Sequence, residues 1–74
     1  MTVQELKESI EKYHTEMEFS YHGQRYFISD NFSEGIFLGT PESETFVQSV
    51  EEALDTMMID GKILRERLND VSWG

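Results

Sequence analysis

The chain predicts an α+β fold: an N-terminal helix, an antiparallel meander of three to four strands, and one or two C-terminal helices packed on one sheet face. Three observations carry this. In residues 17 to 29, MEFSYHGQRYFIS, Met17, Phe19 and Tyr21 alternate with Glu18, Ser20 and His22 before a glycine, and Tyr26 and Ile28 alternate with Arg25, Phe27 and Ser29 after it, the period-2 pattern of a hairpin with one buried face. Apolar residues before and after the strand region recur at spacings of three and four, the stripe of an amphipathic helix. The strand-like runs are consecutive, with helical runs outside them, which segregates helices from strands and favours a meander over alternating βα units.

Taken in order, Thr2 and Glu5 form a capping box, each side chain serving a backbone N–H that the first helical turn leaves unpaired. Val3, Leu6, Ile10 and Tyr13 then make one narrow stripe, predicting a helix from about 3 to 14, with Glu8 and Lys12 paired four apart on its surface. In the hairpin, Met17, Phe19, Tyr21, Tyr26 and Ile28 face inward. Gly23 supplies the turn, because it adopts positive φ without steric cost. The two-residue turn is either Gly23-Gln24 or His22-Gly23. The two registers differ by an even step, so both bury the same residues. DNFSEG, residues 30 to 35, reads as a turn. Ile36 to Gly39 follow as a third strand, and Thr40 to Glu44, with the only proline, as a loop. Thr45 to Gln48 form a fourth strand or lead directly into the next helix. Ser49 and Glu52 make a second capping box, ahead of Val50, Ala53, Leu54, Met57 and Met58. Asp60-Gly61 reads as a break with Asp60 as N-cap of a last helix carrying Ile63, Leu64, Leu68 and Val71. The rival reading is one helix from 50 to 70. Ser72-Trp73-Gly74 reads as a polar tail around a tryptophan.

Length and composition bound the function. Residues 1–74 make one domain, small enough to bury only about 60% of its unfolded surface. It has no cysteine, so neither a disulfide nor a thiolate ligand is available. No apolar run is long enough to span a membrane, and the N-terminal stretch lacks the apolar core of a signal peptide, so a cytoplasmic protein is expected. The net charge of −9 opposes direct contact with nucleic acid, which needs a basic patch, and with anionic membranes.

The hairpin EFSYHGQRYFIS, the run FVQSVEEAL and the ending IDGKILRERL resemble a group of small uncharacterised proteins of Gram-positive bacteria and their mobile elements. There, an aromatic hairpin precedes a serine-capped helix and a Gly-Lys-x-Leu turn into a last short helix. The resemblance covers residues 16 to 71. It implies an α+β fold and no activity.

Motifs that carry chemistry are sparse. His14 and His22 are the only histidines. His22 could pair with Glu16 or Glu18 on one strand face, but one histidine with two acids is a poor metal site. Asp30, Glu34 and Gly35 echo an EF-hand loop, yet Phe32 and Pro41 stand where ligands are required. The adjacent acids Glu51 and Glu52 point apart on a helix, and paired-carboxylate catalysis needs a cleft that splits their pKa values. No enzyme and no cofactor are expected. The surface is more informative. Between Arg25 and Lys62 lie eight acids and no basic residue, −8 of the −9. Phe27 and Phe37 point away from the buried face, and a cluster of them with Phe32 or Trp73 would mark an interface. The sequence therefore points to a non-enzymatic protein–protein interaction module. Its partner-binding candidates are Phe27, Phe37, Glu42, Glu44 and Asp55, and its partner is a basic protein or, through the outer sheet face or the sheet edge, a second copy in a homodimer. The alternative is an acidic decoy that mimics DNA phosphates and occupies a nucleic-acid-binding protein.

Overall fold

In the computed structural model, which describes residues 1–74, helix α1 (Val3–Lys7) continues into a π-helical turn (Glu8–Lys12). Strands β1 (Met17–Tyr21), β2 (Gln24–Asp30), β3 (Ile36–Gly39) and β4 (Glu44–Val47) follow, then helix α2 (Val50–Thr56). The chain ends with a tight hairpin of β5 (Met58–Ile59) and β6 (Lys62–Ile63), helix α3 (Leu64–Arg67) and strand β7 (Ser72–Trp73). One antiparallel sheet has the order β4-β3-β2-β1-β7. The class is α+β as expected, with five strands in the sheet where three or four were read.

His22-Gly23 makes the first turn, so Phe19 stands opposite Tyr26 and Met17 opposite Ile28. Both turn residues have positive φ, 50° and 82°, the signature of a type I′ turn, whose twist matches the strands. Phe19, Tyr26, Ile28, Ile36, Leu38 and Val47 line one sheet face, and α1, its π turn, α2 and α3 bury Leu6, Ile10, Val50, Ala53, Leu54, Leu64 and Leu68 against it. Phe19 is fully buried, which stabilises by about 1.5–3 kcal/mol for a side chain of its size. No helix packs on the other sheet face.

Four details depart from the sequence reading. The first helix is not uniform: Tyr13 N–H donates to the Glu8 carbonyl, five residues back. That wider turn moves Tyr13 off the stripe and leaves it 64% exposed. Lys12 lies over the Tyr13 ring, 5.3 Å from its centre, and makes no ion pair with Glu8. Next, the Ser49 hydroxyl accepts from the Glu52 N–H at 3.1 Å, but the Glu52 carboxylate accepts from the Gln48 N–H, so the box closes one residue early. Asp60 is not an N-cap. Asp60-Gly61, at φ 50° and 86°, is a second tight turn, joining β5 to β6. α3 starts at Leu64 with no side-chain cap. The segment 50–70 thus holds two helices, separated by a hairpin. Finally, the tail is a strand. Trp73 pairs with Phe19 across β1, its ring 4.7 Å from the Phe19 ring, and its indole N–H donates to the Leu68 carbonyl.

Candidate functional site

The uncovered sheet face follows from strand alternation. On β2, Phe27 falls between the buried Tyr26 and Ile28; on β3, Phe37 falls between the buried Ile36 and Leu38. Register then sets their neighbours. One row across the sheet reads Glu18, Phe27, Gly39, Glu44, and the next reads Ser29, Phe37, Phe46. Gly39 leaves open the space between the two rows. A Cβ there would lie 2.9 Å from the Phe37 ring and 3.4 Å from the Phe27 Cβ, so Phe37 folds down over the glycine backbone toward Phe27. Phe46 meets Phe37 edge-on, centroids 5.6 Å apart, a geometry favoured by the ring quadrupoles. Phe27 and Phe37 are half-buried and Phe46 is 40% exposed. The result is an aromatic strip with a carboxylate on either side: Glu18 on β1 and Glu44 on β4.

Of the sequence candidates, Phe27, Phe37 and Glu44 therefore share this face. Glu42 lies in the β3–β4 loop. Asp55 lies in the helical layer, on α2, where the Arg65 guanidinium holds it with two hydrogen bonds of 2.8 and 3.2 Å and also reaches Glu51 at 2.9 Å. Those hydrogen bonds push the Asp55 carboxyl below its ordinary pKa and the Arg65 guanidinium above its own. The acidic block is thus less bare than its sequence: Asp30 accepts from the His14 ring at 2.6 Å, and Arg67 approaches Asp60 and Asp70 at 4.0 and 3.7 Å. Phe32 lies tilted against His14 and Trp73 tilted against Phe19, so neither extends the strip. Phe46, Gly39 and Glu18 are the members the sequence reading missed. Phe46 could be placed only once Thr45–Val47 was known to be a strand, since Val47 inward puts Phe46 outward. His14, His22 and the acids form no cluster of three metal-ligating side chains. No helix is long and apolar enough to cross a membrane.

No protein-family model matches the chain, and no match is found among curated proteins or solved structures.

Proposed function

We propose that this domain is a non-enzymatic protein-binding module, and that its binding surface is the aromatic strip Phe27–Phe37–Phe46 with Glu18 and Glu44 as its rim. The observation that supports it is the covering of only one sheet face: three phenylalanines gather on the other, where a sheet with no partner would carry polar residues. An apolar, aromatic centre with a charged margin is the general anatomy of an interface. The carboxylates on both sides select a partner with basic residues flanking an apolar contact. They act mainly on encounter rate and register. A second copy fits less well, because a two-fold dimer through this face would bring together two chains each carrying −9 and two sets of the same carboxylates. The decoy reading needs free carboxylates along one ridge. Arg65 takes up Glu51 and Asp55, and His14 takes up Asp30, which favours the module.

The test replaces Phe27, Phe37 and Phe46 together by Ser or Thr. The far-UV spectrum is expected to remain, and a basic partner retained by the native chain is expected to be lost. Glu18→Gln with Glu44→Gln should keep that partner but slow its association and flatten its salt dependence. A partner held equally by the triple variant would remove the strip from this role. A native chain that sediments as a dimer, and as a monomer after the triple change, would reassign the strip to self-association.

A further inference from the structure

Three turns meet at one end of the sheet: His22-Gly23, the Thr40–Ser43 loop, and Asp60-Gly61. Between them lies a cleft of about 210 Å³ lined by Tyr21, His22, Gln24, Tyr26, Glu42 and Asp60, which continues past Pro41 to Gly61. We propose that this cleft binds a guanidinium cation, the head of an arginine side chain presented by a peptide or protein. The site is separate from the aromatic strip and does not depend on that reading.

Two carboxylates alone would not make a site. The independent observation is Tyr26. It is 6% exposed, its ring is stacked on Phe19 in the core, and its hydroxyl forms no hydrogen bond within the chain while lining the cleft. The ring is buried, but the hydroxyl at its tip opens on the cleft rather than being sealed in the core, so it is free to accept from a bound donor. Burial first, and then the negative fields of Asp60 and Glu42, push its pKa up, so it stays a neutral hydroxyl that faces both carboxylates. A cation between these groups would receive two charge-assisted hydrogen bonds from the acids and give the phenol oxygen a donor.

Geometry favours a planar cation. The Tyr21 and His22 rings, stacked on each other with centroids 4.1 Å apart, both line the cleft. The chain already seats one guanidinium at this end: Arg67 lies 4.7 Å from the Tyr21 ring centre and donates to the Ile59 and Asp60 carbonyls. Arg67 does not line the cleft, and its 4.0 Å approach to the Asp60 carboxylate exceeds hydrogen-bond range. The Asp60 carboxylate therefore keeps its hydrogen-bonding capacity, although Arg67 offsets part of its charge, and the Glu42 carboxylate has no ion-pair partner. Guanidinium suits flat, bidentate and stacked recognition where an ammonium does not. A metal ion is not supported, because the acids and His22 do not converge as a ligand set.

The test is an amide NMR titration of the full chain with N-acetyl-arginine amide. Saturable shifts are expected at Gln24, Glu42, Asp60 and Gly61. The uncharged citrulline analogue should give none, the lysine analogue should bind more weakly, and free L-arginine should also bind more weakly because its α-carboxylate meets Glu42 and Asp60. Glu42→Gln with Asp60→Asn should weaken binding by about tenfold or more; asparagine tolerates the positive φ of position 60, so the turn is kept. Tyr26→Phe should weaken binding without lowering the melting temperature, since the hydroxyl it removes has no partner in the free protein. Absence of shifts, equal shifts with citrulline, or unchanged binding in the double variant would overturn the site. Tighter binding of the lysine analogue would overturn the guanidinium assignment, and tighter binding of free arginine the assignment to a peptide.

Discussion

Glu11 shows what a single residue does that its neighbours in sequence cannot reveal. Its carboxylate accepts from the Val50 N–H at 2.9 Å. It therefore caps α2 from a different element, beside the local Ser49–Glu52 bond. Glu11→Ala should lower stability by about 1–3 kcal/mol by leaving a part-buried N–H unpaired, whereas Glu8→Ala should change it by less than about 0.5 kcal/mol; urea melts of the two variants give the comparison. Ser49→Ala should cost about 0.5–2 kcal/mol in the same melts. Ser49 was legible because cap and recipient lie three residues apart. Glu11 was not, because its recipient lies on another element and only the fold brings them together. The Asp55–Arg65 pair predicts a pH dependence. The folded pKa of Asp55 is lowered by its bonds to Arg65, so its contribution is present above the unfolded pKa and is lost as pH falls through the folded one. The difference in melting temperature between the native chain and Arg65→Gln should thus hold at neutral pH and shrink as the solution is acidified below the ordinary aspartate range. Both side chains are exposed, so added salt should shrink it too.

At the scale of elements, the turns decide most of the differences from the sequence. His22-Gly23 and Asp60-Gly61 have the same backbone geometry, yet only the first announced a hairpin. Its flanking strands are long enough to show alternation, while β5 and β6 have two residues each and leave no period to read. The π turn was hidden for a related reason: a stripe at spacings of three and four assumes an unchanging helical pitch. Glycines at positive φ offer a graded test. Gly61, at φ 86°, has open space where a side chain would be; Gly35, at φ 102°, faces the Val47 carbonyl closely enough that a Cβ would collide with it. Gly61→Ala should cost about 1–2 kcal/mol for the backbone alone. Gly35→Ala should cost more, because β3 and β4 must also separate. Thermal melts should rank the two in that order.

For the whole molecule, the two-layer plan was legible because Met17 to Tyr21 alternate apolar and polar side chains before a glycine turn and α2 carries a regular stripe. Phe27 and Phe37 followed from the same alternation, whereas Glu42 and Asp55 were grouped with them only by charge, and charge along a chain does not fix a face. β7 escaped notice because two residues carry no pattern. That strand has a consequence for how the protein opens. The pairs among β1 to β4 join neighbours in the chain, but β7 returns from the far end to lie on β1, and long loops cost more entropy to close. Closure of this latch is therefore expected late in folding and its release early in unfolding. Trp73, the sole tryptophan, sits on Phe19 and reports that step by fluorescence. Its signal should change before the far-UV band on gentle heating, with the Gly74 amide, which donates to the Glu18 carbonyl at 3.0 Å, among the first to exchange. Release bares the backbone edge of β1, an unpaired template for another chain. Heat-induced aggregation should begin at that edge and spare the aromatic strip.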